Sequence, residues 1–477
     1  MMDNKENGEQ KKWYQGISKY QWLVLLIASL GWVFDIFEGQ IFVASMRDAM
    51  PQLLNVGSAD NPEVASWSNY SFASFLLGGA FGGVLFGVMS DRIGRSKTLI
   101  FTILFYSVFT ALTALASEAW HMVVLRFLVA MGVGGEWAVA SAMVAEVMPK
   151  RSRAVMSSIF HASSVFGTLL AAAVGYFILA AKPWGESTWK LGFLIGILPA
   201  LLTLWIRWKL HEPERWKKAK DAEKKDESQA TGRLLEIFNK EYIRGTVLGV
   251  ALATIGLVTF WGCHIYGKNA LMRSAQAKAL VAEKVDLNAP SKNDGENAES
   301  FEKRKSDWKQ QRKNALDKHS ETIKKAEMSS MALNTIGGGL GLVLFGSISN
   351  RLGRRGAFML YHLGAFVMAL LMFMVLIPNG ASTTVLTIAL PIFGFLTLGM
   401  HAGYAVYFPE LYPTRLRGTG TGFCFNMGRV GSAIYLLIVA KIGWQADQAS
   451  LYMAPVFLLG VWVAYMAPET KAQDLPE

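Results

Sequence analysis

The sequence predicts an all-α membrane protein of twelve transmembrane helices in two pseudo-symmetric six-helix bundles. Three observations predict it: long uncharged runs alternate with short charged clusters, basic residues favour alternate loops, and an internal repeat relates the two halves.

A helix needs about 20 mostly apolar residues to cross the hydrocarbon. Twelve stretches qualify, at 21–45, 67–89, 98–117, 119–147, 155–180, 189–210, 243–265, 328–349, 356–377, 384–409, 418–442 and 449–467. Their arrangement sets the expected organisation: a cytoplasmic tail 1–20, a first bundle 21–211, a linker 212–242, a second bundle 243–467 and a tail 468–477. The first 20 residues are polar and lack the apolar core and cleavage site of a secretory signal, so the first span is expected to act as its own insertion signal.

The net charge of +11 does not point to nucleic acid, because its distribution follows membrane topology. Lys5, Lys11, Lys12 and Lys19 lie in the first tail; Arg92, Arg95 and Lys97 follow span two, and Lys150, Arg151 and Arg153 follow span four. Basic residues recur from Arg215 to Lys240, at Arg351, Arg354 and Arg355, and at Arg415 and Arg417. Intervening short loops carry little beyond Arg47, Lys182, Lys190 and Lys441, so the basic segments are expected on the cytoplasmic side of the cell membrane. The two cysteines, Cys263 and Cys424, both fall inside spans, which suggests small buried side chains rather than a disulfide or metal site.

The repeat has two independent parts. GGAFGGVLFGVMSDRIGRSK (78–97) aligns with GGGLGLVLFGSISNRLGRRG (337–356) at an offset of 259; Glu146-x-x-Pro149-x-x-x-Arg153 aligns with Glu410-x-x-Pro413-x-x-x-Arg417 at 264. Duplicated halves of this kind usually cup a substrate site near the bilayer midplane. The symmetry breaks at residues 267–328, an insert expected outside the cell. Loops of this length cross largely regardless of charge. Within the insert, 298–327 lacks Gly and Pro and mixes charges at helical spacing, which predicts an exposed helix.

Ionisable groups within spans are costly and tend to face a polar cavity or a partner. Here they are Asp35, Glu38, Arg126, Glu136, His161, His264, His401 and Arg429. Asp35 and Glu38 are three residues apart and share a helix face, which suits proton exchange; the alternative is a permanent salt bridge to Arg126. Arg429 has no acid in its own span, so a carboxylate substrate is a fitting partner, with a structural hydrogen bond as the alternative. Glu136 stands among glycines, where a structural hydrogen bond competes with proton relay. His401 and Tyr404 approach one face of span ten; Trp261 and His264 lie near the outer end of span seven.

Gly87-x-x-x-Asp91-Arg92-x-Gly94-Arg95-x-Lys97 resembles the signature of the major facilitator superfamily between spans two and three, and the resemblance covers nearly the whole chain apart from the insert. It implies the major facilitator fold and a cytoplasmic gate built from these residues with Glu146, Arg153, Asn350, Arg351, Arg354, Glu410 and Arg417. Asn350 replaces the acid in the second half and should weaken the equivalent latch there. Arg126-Phe-Leu-x-x-x-Gly132-x-Gly134-Gly135-Glu136-Trp137, Asp35-x-x-Glu38, and the run from Glu410 through Gly418-x-Gly420-x-Gly422-Phe423 into Asn426-x-Gly428-Arg429 resemble the metabolite:proton symporters of carboxylates, sialic acid and aromatic acids. His161 stands where sugar-transporting relatives carry a substrate-binding Gln. Span five lacks the Gly-Pro pair of drug antiporters and span seven lacks the Gln pair of sugar porters.

The resemblance implies proton-coupled symport of a small organic anion by a monomer in the lipid bilayer, without cofactor or metal. Asp35, Glu38 and Arg126 would couple the proton; Arg429, Asn426, His161, Trp261, His401 and Tyr404 would bind substrate. The alternatives are a sugar or polyol transporter and a transporter-like nutrient sensor. No nucleotide-binding loop or nucleophilic triad points to an enzyme.

Overall fold

The computed structural model describes residues 12–56, 61–179, 183–201, 205, 209–293, 296–442 and 446–477. Lys5, Lys11 and Lys182, and part of span six, lie outside the described residues.

Among the described residues, the spans are built mainly of helices. Span one is Lys19–Leu53, started by a Ser18 capping box; span two is Pro62–Ile93, capped by Asn61; span three is Arg95–Thr113 and span four Ala119–Val147. Span five begins at Lys150, earlier than its apolar run suggests, and consists of Lys150–Ala162 and Ser164–Val174 followed by a π turn at Gly175–Leu179. Span six starts with Thr188–Ile195. In the second half, spans eight and nine form Ser320–Leu370, folded back at Gly353; span ten is Thr383–Gly399 with Ala402–Tyr407, span eleven Arg417–Ile442, and span twelve Ala446–Met453 with Val456–Met466. Among the described residues, eight helices are long and apolar enough to cross a membrane, the folded one supplying two spans. Outward-facing Leu85, Phe101, Leu170, Ile388 and Trp462 remain exposed, as lipid contact requires.

The two repeat offsets reappear as packing geometry. A Cβ on Gly78 would stand 2.2 Å from the Phe127 carbonyl oxygen, and one on Gly337 would stand 1.9 Å from that of Pro391. Likewise Gly82 meets Met131 and Gly341 meets Phe395, so spans two and four pack as spans eight and ten do, backbone to backbone. Between halves, Gly87 meets Gly418 and Gly346 meets Ala154. Glycines of one repeated run therefore bind each half together, and a later glycine of the same run joins it to the other half. Gly94 (φ 118°) and Gly353 (φ 84°) make the turns between spans two and three and between eight and nine, a backbone region that only glycine enters cheaply.

The insert differs from its expected form. Span seven continues beyond the membrane core, through Ile243–Thr259, a π turn at Phe260–His264 and Ala270–Ala282. The expected helix 298–327 is Ala298–Lys318, broken at His319; Ser320 starts the helix that becomes span eight. The two extensions pack together, and Ser330 fastens them: its Oγ donates to the Lys268 carbonyl at 2.5 Å and accepts from the Leu271 N–H at 3.3 Å. Sequence periodicity could not separate the surface helix from a polar extension of a span, because both carry mixed charge.

Candidate functional site

A cavity of about 320 Å³ lies between the halves. On span one its lining runs from Trp32 to Val43 and on span seven from Leu257 to Lys268, so it occupies the end away from the Gly94 and Gly353 turns. Trp32, Phe72, Phe260, Trp261 and Phe425 supply apolar wall, and Asp35, His161, His264, Lys268, His401 and Arg429 bring charge or imidazole.

Asp35 and Arg429 face this space from opposite halves. Arg429 is carried on span eleven past Gly79 of span two, where a Cβ would stand 2.0 Å from its Nη1. Its guanidinium lies 5.6 Å from the Phe425 ring centroid, and among the described residues its buried Nη1 has no hydrogen-bond partner. Asp35 is the acid within its electrostatic reach. Arg429 lines the cavity, and a guanidinium in a cavity wall is suited to a carboxylate.

Glu38 turns elsewhere. It forms an ion pair with Arg126 and accepts from Thr110 Oγ1 at 3.2 Å, while Arg126 Nη2 donates to Thr113 Oγ1 at 2.5 Å. The guanidinium sits 5.2 Å from the Phe42 ring centroid and 4.9 Å from that of Phe193. The shared helix face therefore does not deliver two acids to one cavity: three residues along a helix leave about 60° between side chains, enough to point Glu38 at span four. Asp35 has a different carboxylate neighbour. Glu136 of span four and Tyr106 of span three are within its electrostatic reach, and among the described residues none of the four oxygens of Asp35 and Glu136 has a well-formed hydrogen-bond partner. Glu136 fits there because Gly31 lacks a side chain; a Cβ would stand 1.7 Å from Glu136 Oε1.

Of the other expected binding residues, His161, Trp261 and His401 line the cavity. His161 Nδ1 accepts from Trp137 Nε1 at 3.2 Å, and His401 Nε2 is buried without a partner among the described residues. Asn426 and Tyr404 do not line it. Asn426 presses on Gly83 and donates to the Gly422 carbonyl at 2.9 Å; Tyr404 is fully buried, stacks on Phe358 and Phe408, and donates to the Leu252 carbonyl at 3.2 Å. Both pack against glycines, Asn426 on Gly83 and Tyr404 on Gly256, where the backbones come close. His264 lies in the wall, satisfied by Thr397 at 2.7 Å and Asn334 at 3.2 Å. The pairing of Asp35 with Glu136 was open to sequence reasoning only as the coincidence of two intramembrane acids. Lys268 was hidden by being assigned to the insert.

At the opposite end the signature residues form a buried network. Arg95 bonds Asp91 at 2.5 Å and Glu146 at 2.8 Å within the first half. Across the halves, Asp91 accepts from the N–H groups of Gly418 and Thr419 at 3.0 and 2.8 Å, Arg417 donates to Glu146 at 3.0 Å, and Arg95 donates to the Thr414 carbonyl at 2.9 Å. The second half repeats the internal part, with Arg354 bonding Glu410 at 2.8 Å and Asn350 at 3.2 Å. Among the described residues, Asn350 receives no bond from Ala154 or Val155, the counterparts of Gly418 and Thr419. An uncharged amide attracts backbone N–H groups less than a carboxylate does. Arg92 and Arg351 point outward, and Arg153 donates to the Ala145 carbonyl at 3.1 Å, so these three stand apart from the cross-half bonds.

The profile of a family described as sugar (and other) transporter matches residues 23–241 and 302–477. A sialic acid transporter of Escherichia coli is 25% identical over 93% of this chain and 93% of its own. A cis,cis-muconate transport protein of Acinetobacter baylyi is 27% identical over 83% of this chain and 84% of its own. Among solved structures, the major facilitator proton:xylose symporter bound to 6-bromo-6-deoxy-D-glucose superposes with a TM-score of 0.68 at 17% identity, covering 96% of this chain and 98% of its own, a likeness of fold.

Proposed function

The chain belongs to the sugar (and other) transporter family of the major facilitator superfamily, and from that premise we propose that it carries a small organic acid together with a proton, driven by the proton gradient. It is a multi-pass membrane transporter of metabolites and not an enzyme.

The observation that carries the substrate reading is Arg429: a guanidinium with a free buried Nη1 at the wall of an aromatic cavity, opposed by Asp35. A substrate carboxylate would engage the Arg429 guanidinium and loosen it from Asp35, leaving Asp35 to accept a proton. The signature network closes one end of the halves while the cavity occupies the other, the geometry of one limb of alternating access. The basic loops favour a cytoplasmic position for the network end, both tails and 212–242, and an outside position for the insert. An impermeant thiol reagent on intact cells should modify a cysteine placed at Ser306 and not one at Ser228; the reverse pattern would invert the topology.

Uptake into liposomes under an imposed pH difference tests the function. Carboxylates should accumulate and xylose should not compete. Accumulation of a sugar with no response to any carboxylate would move the substrate to a neutral class.

A further inference from the structure

We propose that Asp35 and Glu136 work as one proton site, holding a single shared proton when the carrier is empty and taking up a second when a substrate carboxylate engages Arg429. The proposal rests on the proton-coupled carboxylate reading and adds the residue and the count.

Asp35 and Glu136 are each 1% exposed, lie within electrostatic reach of one another, and have four oxygens without well-formed partners. Two ionised carboxylates left together in a dry interior would be strongly unfavourable, and such pairs settle by sharing a proton. The groups facing them are Tyr106 of span three, Arg429 of span eleven, His161 of span five and Glu38 of span one. Glu38 is already neutralised by Arg126, and His161 is engaged by Trp137. That leaves two carboxylates against one guanidinium, an excess of one negative charge that one proton cancels.

Substrate changes the balance by one. A monocarboxylate on Arg429 uses up the cation, and a second proton, entering from water at the cavity end, restores neutrality. After reorientation and release of the acid, Arg429 again faces the pair and that second proton leaves. One proton and one monocarboxylate cross together, and no net charge moves. Glu136 thus touches the proton and not the substrate, which the Gly31 gap explains: it admits a carboxyl group at the back of Asp35, away from the cavity lining.

The test is the infrared absorption of protonated carboxyl groups in purified full-length protein reconstituted in liposomes at neutral pH. A band should be present, should vanish in both Asp35→Asn and Glu136→Gln, and should survive in Glu38→Gln. A structural role for Glu136 would leave the band in place. No band in the unaltered protein, or a band surviving both substitutions, overturns the shared proton. Glu136→Asp, which should retain a displaced band, covers the case in which Glu136→Gln fails to fold. Adding benzoate or sialic acid to lightly buffered protein should then remove about one proton from the medium per acid bound. Binding without proton removal overturns the second step. If neither acid binds while the infrared pattern holds, the carboxylate reading fails and the shared proton stands.

Discussion

Arg417 of span eleven donates to Glu146 of span four at 3.0 Å, the same Oε1 that Arg95 reaches at 2.8 Å, so one carboxylate oxygen joins the two halves of the molecule. All three side chains are fully buried. Removing one partner of such a network leaves a charge uncompensated, which costs on the order of 3–5 kcal/mol. The cost falls on the state in which this end is closed.

Glu146→Gln should therefore raise the population open at the network end by roughly tenfold or more, allowing for partial relaxation of the arginines. Reaction of a cysteine placed at Ser141, buried between spans, with a thiol reagent in inside-out vesicles measures that opening. Glu410→Gln should have the smaller effect, because its partners Arg354 and Thr470 belong to the same half. Equal opening in both variants would refute the asymmetry.

Shortening of the insert should spare the two span extensions. Excision of 270–325 would remove the span extensions that Ser330 fastens beside Lys268. Replacement of 284–318 with a short Gly/Ser linker should instead leave uptake within about twofold of normal at equal surface abundance, since loop length itself costs little. Loss of uptake by the shorter excision would give the insert a gating role.

Much of the fold was legible because its causes are local: apolar length makes a span, and the repeat offsets 259 and 264 recur as the contacts Gly78 with Phe127 and Gly337 with Pro391. The site was legible in part. Residue type marked Asp35, Arg429, His161 and His401, but type does not give direction. Asn426 and Tyr404 face glycines, and Glu38 faces Arg126, through contacts between helices far apart in sequence. A helix rotation of some tens of degrees decides which acid meets the cavity, and no periodicity within one span fixes it.

Arg429→Lys keeps the charge and loses the planar fork. Apparent affinity for carboxylates should fall by about tenfold, in the range expected for a lost charge-assisted hydrogen bond, while thermal stability changes little because lysine keeps the positive charge opposite Asp35. Competition binding and a melting curve on the same preparation separate the two effects. Unchanged affinity for every carboxylate bound would remove Arg429 from the binding site.

The coupling residues can be told from the structural pair by single and double substitution. Asp35→Asn should abolish pH-driven accumulation and retain exchange of labelled for unlabelled substrate, because exchange can cycle without net proton movement. Glu38→Gln and Arg126→Gln should each impair both activities, since each strands a buried charge that the other neutralises. Removing both leaves two neutral groups among Thr110, Thr113, Phe42 and Phe193 and is much less costly. The double variant should accordingly accumulate substrate at least about tenfold better than either single one, as the non-additivity of a directly bonded pair requires. Accumulation measured in liposomes under one fixed pH difference, normalised to reconstituted protein, decides between the roles. If the double variant is as inactive in accumulation as Asp35→Asn yet exchanges freely, Glu38 carries the coupled proton and Asp35 does not act alone.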